Sequence, residues 1–222
     1  MESLKLSAPF IGLFSAGVLC LGLYGISVES ALFLRTAGTA PDRLQSVAAD
    51  PDVPYLSSKR ALSLFDEDCR KLAFEQTSVP IPVEDQPRLN EACFARARFL
   101  VEAAPGNARL WLTLAQFAVT QPDQRNTVFH AVERSRAYGP WQYSLAVARM
   151  RLVSTLPDAP PAVKAIDDAD IQTLAASNRG RDALAQIYIA TPDQRDRITA
   201  AIEKRPPNDQ KSFLGRIKRN MQ

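Results

Sequence analysis

The chain has 222 residues, of which 46% are hydrophobic, and its formal net charge is +3. A chain of this length and composition can bury a sizeable core. The small net charge and the lack of a basic stripe with interleaved aromatic residues argue against nucleic-acid binding. Because the sequence has only nine glycines and few runs of β-branched residues, it predicts an all-α fold.

The first predicted element is a membrane anchor. Ala8–Val28 contains no charged residue, and its length is close to the ~20 residues that a helix needs to cross a bilayer. We therefore expect a short tail over residues 1–7 and a single-pass transmembrane helix over residues 8–28. A cleaved signal peptide ending before Ala31 is the alternative, although its apolar region would exceed the usual ~7 to 15 residues.

The orientation of this anchor depends on few charges. Lys5 and the amino terminus on one side are matched by Arg35 and Arg43 on the other, so the positive-inside rule favours neither orientation strongly. A hydrophobic segment this close to the start of a chain usually keeps its amino terminus inside. We therefore expect an inner-membrane protein with its carboxyl-terminal domain in the periplasm.

Two of the three cysteines form a candidate disulfide. Cys20 lies in the predicted anchor, whereas Cys69 and Cys93 each lie 12 residues from Ile81 (81 − 69 and 93 − 81), near the predicted connection between two helices. An antiparallel hairpin would bring Cys69 and Cys93 level, and a disulfide would suit an oxidising compartment. Two buried thiols in a helical core remain the alternative. Neither cysteine belongs to a CxxC pair, so a zinc or redox site is not expected.

The remainder of the chain is predicted to be helical. Residues 29–54, with several prolines and small residues, indicate a linker that contains one brief helix near Arg43–Ala49. From residue 55 to residue 222, apolar side chains recur at steps of three and four residues, which is the spacing of amphipathic helices. Breaker segments rich in Pro, Gly and Asn separate these helices: "APGN", "YGP", "LPDAPP" and "RPPND".

One phrase occurs twice in this helical region. "LAQFAVTQPDQR" at Leu114–Arg125 and "LAQIYIATPDQR" at Leu184–Arg195 are identical at seven of twelve positions, with an offset of 70 (184 − 114). This offset equals two units of 35 residues, close to the period of about 34 residues of a tetratricopeptide repeat (TPR). The doubled phrase therefore predicts repeated helical hairpins.

The residues of both copies resemble the TPR family. The family's first helix follows W-x2-L-G-x2-Y; the first copy has Trp111 and Leu114, the second has Leu184 and Tyr188, and Ala115 or Ala185 replaces Gly. Pro105 also precedes Trp111 by six residues, as the closing proline of one such repeat precedes the next Trp. The chain also departs from the family pattern at Ala118, Thr127, Arg181 and Arg197.

The resemblance implies a solenoid of helical hairpins, in which neighbouring hairpins share a core that none can form alone. Leu114 and Leu184 would pack the seams between helices. A protein partner would bind along the surface formed by the first helix of each pair. That placement selects the candidate partner-binding residues Arg109, Gln116, Thr120, Arg179 and Gln186.

The Pro-Asp-Gln-Arg half of the phrase predicts a helix start rather than a site. Thr191 and Gln194 have the spacing of a capping box, in which each side chain accepts from or donates to the other's backbone. Pro192 suits the first helical position, and Asp193 would interact favourably with the positive end of the helix dipole. In the first copy, Gln121 takes the cap position and should cap less well.

No catalytic or cofactor motif appears. His130 is the only histidine, and we expect it to be partly buried rather than catalytic. Neither a phosphate-binding loop nor a nucleophile elbow nor a zinc-binding H-E-x-x-H pair is present. The carboxylates at Asp66–Asp68, Asp167–Asp168 and Asp170 are typical of solvated faces or helix starts. We therefore predict a protein that is not an enzyme and that has no cofactor, metal or small-molecule substrate.

The last segment predicts an amphipathic helix that caps the repeats. Its alternative is a basic helix lying on an anionic membrane. One predicted face contains Phe213, Leu214, Ile217 and Met221, and the other contains Lys211, Arg216, Lys218 and Arg219.

Taken together, these features predict a membrane-anchored scaffold of the bacterial cell envelope. Its TPR-like domain would dock other proteins, such as components of an envelope-assembly or polysaccharide-export system. Two alternatives remain open. The domain could be a structural subunit or spacer of a membrane complex without peptide binding, or the protein could hydrolyse cell-wall glycans with two carboxylates.

Overall fold

The computed structural model describes residues 8–36, 39–49, 59–74, 82 and 84–221. These residues form eleven α-helices and one short 3-10 turn, with no strand among them, so the all-α prediction is confirmed. Three predicted features lie outside the described residues: the tail over residues 1–7, the start of the helical domain at residue 55, and the connection near residues 79–81.

The chain forms two compact units, Met1–Arg96 and Ala97–Gln222. The sequence predicted one helical domain over residues 55–222, which stays a prediction. Helix α4 begins in the first unit and ends in the second. The first unit contains α1 (Ala8–Thr36), α2 (Ala40–Ala49), α3 (Lys59–Phe74) and the start of α4 (Gln86–Ala103).

Helix α1 continues well beyond the predicted end of the anchor. It ends at Thr36 rather than at Val28, so the first residues of the predicted linker are helical. The brief helix expected near Arg43–Ala49 is α2, which begins slightly earlier, at Ala40. Of the helices in the described ranges, none combines the length and apolar character that crossing a membrane requires.

Two side-chain links connect the helices of the first unit. The Arg43 guanidinium on α2 donates to both carboxylate oxygens of Asp68 on α3, at 3.0 and 3.2 Å. Cys69 on α3 and Cys93 on α4 are joined by a disulfide with a Cα–Cα distance of 5.6 Å. Both cysteines are buried, so the disulfide crosses the interior between α3 and α4.

The second unit contains helical hairpins at a constant spacing. The first helices of three successive pairs begin at Ala108, Tyr143 and Asn178, 35 residues apart (143 − 108 and 178 − 143). The second helices begin at Arg125, Pro161 and Arg195. The full set is α5 (Ala108–Ala118), α6 (Arg125–Tyr138), α7 (Tyr143–Ser154), α8 (Pro161–Ala175), α9 (Asn178–Ala190), α10 (Arg195–Glu203) and α11 (Pro207–Asn220).

The spacing of the hairpins repeats in the core. Val128, Val163 and Ile198 lie 35 residues apart on α6, α8 and α10, and all three are almost completely buried. Leu114 and Leu184 are buried as well. Gly180, at the start of α9, allows α9 to approach α8, because a Cβ there would lie 2.0 Å from the Leu174 carbonyl oxygen. Side chains that lie 35 residues apart are therefore buried in each of the three helix pairs.

The predicted capping box is wrong. Pro192–Gln194 forms a 3-10 turn, and α10 begins only at Arg195. The Gln194 backbone N–H donates to the Thr191 carbonyl oxygen at 3.1 Å, and the Thr191 side chain makes no cap hydrogen bond. Because the turn places Gln194 at the cap rather than inside the first helical turn, the two side chains lack the reciprocal geometry of a capping box.

The two copies of Pro-Asp-Gln-Arg also differ in backbone conformation. Asp123 has a φ of 59°, in the left-handed region that non-glycine residues adopt infrequently. Its counterpart Asp193 lies in the 3-10 turn. In both copies the second helix nevertheless begins at the arginine, Arg125 or Arg195. The phrase therefore marks a helix start without specifying one turn geometry.

The middle hairpin contains buried charge at the repeated apolar position. Arg149 lies 35 residues from both Leu114 and Leu184, and its side chain is fully buried. Its Nε and Nη2 atoms donate to the two carboxylate oxygens of Asp170 on α8, at 2.7 and 2.8 Å. The Arg149 Nη1 atom also donates to the Ser135 hydroxyl on α6 at 3.2 Å. The ion pair therefore connects α6, α7 and α8 through hydrogen bonds rather than apolar contact.

A second arginine completes this network. The Arg136 Nη1 atom on α6 donates to Asp170 Oδ1 and to the Pro140 carbonyl oxygen, each at 2.6 Å. Asp170 therefore accepts from two guanidinium groups while its own side chain is fully buried. A buried carboxylate with this many charge-assisted hydrogen bonds avoids the large cost of an unpaired charge.

We expect Arg149→Leu to lower the free energy of unfolding of the full chain by about 3 kcal/mol, because it removes one partner of a buried ion pair. The double variant Arg149→Leu/Asp170→Ser should recover most of this loss, since Leu and Ser are the residues found 35 positions earlier, at Leu114 and Ser135. Urea denaturation followed by far-UV circular dichroism provides the measurement.

The matched control is Arg151→Leu, the same change at an exposed position two residues further along α7. It should alter the free energy of unfolding by less than about 0.5 kcal/mol. Equal stabilities for Arg149→Leu and Arg151→Leu would show that the buried ion pair does not stabilise the hairpins.

Candidate functional site

A row of polar side chains follows the first helices of the hairpins. Gln116 on α5, Arg151 on α7 and Gln186 on α9 lie 35 residues apart and so occupy the same position in each hairpin. Gln116 is half-buried, and the other two are exposed. We refer to Gln116, Arg151 and Gln186 as the polar row.

A small depression lies between α7 and α9 at the polar row. Its volume is about 130 Å³, enough for one side chain or a few waters rather than a drug-sized ligand, which fills about 300 Å³ or more. Apolar lining comes from Met150, Ile187 and Ala190, and polar lining comes from Arg151, Ser154, Gln186, Thr191 and Gln194.

Arg151 is the charged group of this depression. Its side chain is exposed, and within the described ranges it forms no ion pair, unlike the buried Arg149 two residues before it. No carboxylate lines the depression. The depression therefore combines an apolar lining with an available guanidinium, which can bind a carboxylate or a carbonyl oxygen through paired N–H donors.

Arg151 was not among the residues predicted from the sequence to bind a partner. The signal that would have found it was the 35-residue spacing, since Arg151 follows Gln116 and precedes Gln186 by that interval. The middle hairpin could be aligned only weakly from the sequence because Arg149 replaces the repeated leucine. Thr191 and Gln194 were predicted only as helix caps, but both line the depression.

The five predicted partner-binding residues do not form one cluster. Gln186 lines the depression, and Gln116 occupies its equivalent position on α5. Thr120 lies in the turn after α5, where its hydroxyl donates to the Phe117 carbonyl oxygen at 2.8 Å. The Arg179 guanidinium lies over the Tyr143 ring at 4.9 Å, and Arg109 is exposed near the start of α5.

An interhelical ion-pair cluster lies beside the depression. The Arg197 Nη1 atom on α10 donates to Asp167 Oδ2 on α8 at 2.5 Å and to the Gln194 side-chain oxygen at 2.9 Å. Arg197 also donates to Asp168 Oδ1 through Nε at 3.0 Å. Because Gln194 lines the depression, this cluster positions one of its walls.

Asp167 is the most perturbed carboxylate in this cluster. Its side chain is buried, and Oδ1 accepts no hydrogen bond from any described group. Burial raises the pKa of Asp167 to about 6, and the Arg197 hydrogen bond only partly opposes this. Burial by itself would lower the pKa of Arg197, but the hydrogen bonds to Asp168 and Asp167 raise it above its usual value. The loss of hydration therefore changes the pKa of Asp167 more than the pairing with Arg197 does.

His130 occupies an aromatic cluster rather than a buried position. It is exposed, contrary to the prediction, and its ring packs edge-on against Trp111 with centroids 5.6 Å apart. The Arg134 guanidinium lies over the rings of Trp111 and Tyr138, at 5.5 and 4.8 Å. Trp111 has its own partner, since its Nε1 donates to the Pro105 carbonyl oxygen at 2.7 Å. Helix α6 exposes His130 because only its opposite side packs into the core.

We expect the raised pKa of Asp167 to make stability depend on pH. A carboxyl that binds its proton more tightly in the folded state stabilises the fold most below the unfolded pKa of about 3.9. That stability decreases as the pH rises towards about 6. Between pH 4 and pH 6, the stability of the native chain relative to Asp167→Asn should fall by about 2 kcal/mol.

Urea denaturation at both pH values measures this difference, and Asp168→Asn is the matched control. Because Asp168 is largely exposed, its variant should keep the pH dependence of the native chain. A difference between native chain and Asp167→Asn that stays constant from pH 4 to pH 6 would contradict the expectation.

Comparison with known proteins supplies no function for these features. No family model, no curated protein and no solved structure matches the chain.

Proposed function

We propose that the protein is a membrane-anchored scaffold of the bacterial cell envelope that docks other proteins through its TPR-like hairpins. The observation that carries the proposal is the polar row, in which Gln116, Arg151 and Gln186 occupy equivalent positions on successive first helices. A regular row of this kind suits an extended peptide, because the polar groups recur at the spacing of the stacked hairpins.

The chemistry of the depression is consistent with a protein partner. Its apolar lining suits one aliphatic side chain, and the polar groups around it suit the flanking peptide backbone. Gln186 presents both donors and an acceptor, whereas Arg151 presents donors only. Asp167 and Asp168 pair with Arg197, which is the arrangement of an interhelical ion pair rather than of two facing catalytic groups.

The proposed anchor is argued from the exposed apolar surface of α1 and not from helix length, since no described helix is long and apolar enough to cross a membrane. Residues 8–28 contain no charged side chain. Among the side chains of this range that the structure describes, seven large apolar ones are more than half exposed. Exposed apolar surface of this extent is unfavourable in water and favourable in a bilayer. The side chains are Leu13, Phe14, Val18, Leu19, Leu21, Leu23 and Ile26.

The periplasmic placement of the chain after α1 is also part of the proposal. The disulfide between Cys69 and Cys93 supports it, because disulfides persist in oxidising compartments such as the bacterial periplasm and are rare in the cytosol.

Substituting the whole polar row, as Gln116→Ala/Arg151→Ala/Gln186→Ala, should reduce partner recovery at least about tenfold if each residue contributes binding energy. The measurement is crosslinking of the full-length chain in membranes, followed by tagged purification and quantification of the partners that the native chain captures.

The matched control is Asn126→Ala/Lys164→Ala/Gln172→Ala, which removes two amides and one cation from exposed positions on the second helices. Its partner recovery should equal that of the native chain. Unchanged recovery for the polar-row variant would reject docking at this surface and leave the structural-spacer alternative.

Protease added to intact spheroplasts should digest the second unit, because the proposed topology exposes it on the outer side of the plasma membrane. In the same preparation, Cys69 and Cys93 should resist alkylation until a reductant is added. Permeabilised spheroplasts provide the control for protease activity. Protection of the second unit, together with freely alkylated Cys69 and Cys93, would place it on the inner side.

A further inference from the structure

Helix α11 has an inner side that packs on the hairpins. Phe213 is buried, and its ring meets Tyr188 on α9 edge-on at a centroid distance of 5.9 Å. Arg216 pairs with Asp182 on α9. Asp209 in the first turn pairs with Arg181 at 3.0 Å. These contacts account for the capping arrangement expected from the sequence.

The opposite side of α11 combines basic and apolar residues. Lys211, Leu214, Lys218 and Met221 recur at steps of three and four residues, so they share one side of the helix, and all four are exposed. We refer to them as the outer face of α11. Leu214 and Met221 were predicted to share a face with Phe213, but they are 63% and 72% exposed. Helical geometry separates consecutive residues by about 100°, so Phe213 and Leu214 cannot both face the core.

The carboxyl-terminal part of α11 carries charge of one sign only. From Lys211 to Arg219 it contains four basic residues and no acidic residue. Arg216 pairs with Asp182, whereas Lys211, Lys218 and Arg219 form no ion pair with any residue that the structure describes. The outer face therefore presents uncompensated positive charge next to two exposed apolar side chains.

We propose that the outer face of α11 binds the surface of an anionic lipid bilayer. At such a surface Leu214 and Met221 can insert among the acyl chains, while the lysine ammonium groups reach lipid phosphates. An acidic protein would match the charge, but two apolar side chains are few for the buried centre of a stable protein interface. The positive charge and the narrow apolar strip together fit a lipid surface better.

This contact goes beyond the proposed docking function and does not require the polar row. It draws on the proposed anchor in one respect, since an anchored chain keeps α11 at a high local concentration of lipid. Binding through the outer face would attach the second unit to the bilayer independently of α1.

The experiment uses the full-length chain with Leu214→Cys in a Cys20→Ser background, labelled with a fluorophore that responds to polarity while the native disulfide stays intact. The chain is mixed with vesicles of phosphatidylcholine alone or of phosphatidylcholine with phosphatidylglycerol. The emission should shift to the blue only with the anionic vesicles, and high salt should reverse the shift by screening.

The double variant Lys211→Gln/Lys218→Gln should lower the ratio of bound to free α11 by about 25-fold, since each basic residue near an anionic surface contributes about fivefold. Arg98→Gln/Lys164→Gln removes the same charge from exposed positions on α4 and α8 and should bind like the native chain. An equal loss in both double variants would overturn the proposal.

A second label separates this proposal from the proposed anchor. A fluorophore attached to the native Cys20 reports the insertion of α1 into the vesicle bilayer. If the Cys20 label enters anionic vesicles while the label at residue 214 stays in water, the proposal for α11 is rejected and the anchor stands. If the label at residue 214 responds and the Cys20 label does not, α11 binds lipid and the anchor proposal fails.

Discussion

The second unit depends on the buried ion pair between Arg149 and Asp170. Both side chains are fully buried, so each charge has lost its hydration and must be compensated by protein groups. Two hydrogen bonds join the two side chains directly, and Ser135 and Arg136 supply further contacts from α6. Because these partners come from three helices, the pair forms only when α6, α7 and α8 have their native positions. Apolar contacts are less directional and would tolerate small shifts.

Helix α8 is the polar centre of this arrangement. Asp170 interacts with Arg149 on α7 and Arg136 on α6. Asp167, three residues earlier on the same helix, interacts with Arg197 on α10. Helix α8 is therefore joined by charge-assisted hydrogen bonds to helices of the preceding and the following hairpin. The apolar residues at equivalent positions, such as Val128, Val163 and Ile198, fill the space between these links.

Residues 35 apart recur both at a buried position and at a surface position of the first helices. At one position of the first helices this spacing places Leu114, Arg149 and Leu184 in the core. Two residues further along it places the polar row at the surface, with the depression between α7 and α9 beside Gln186. The buried residues position the first helices, and these helices carry the polar row. The packing of the core therefore determines the geometry of the binding surface.

The sequence by itself determined the features that depend on local spacing. The helix breakers and the apolar period indicated an all-α chain. The offset of 70 residues between the two copies of the phrase also separates the starts of α5 and α6 from those of α9 and α10. The start of each second helix near Pro-Asp-Gln-Arg was also readable, because prolines and turn residues act through the adjacent backbone.

Only the tertiary structure decided where the charged residues lie. Arg149 and Asp170 are 21 residues apart, and Arg197 and Asp167 are 30 residues apart. Neither pair could be predicted from helical periodicity. Periodicity shows which residues share one face of a helix, but not which distant charged residue that face contacts. The burial of Asp167, the exposure of Leu214 and the position of Arg151 beside the depression likewise depend on which helices pack together. A charged residue is stable in the core only when a distant partner compensates it, and that compensation is a property of the folded chain.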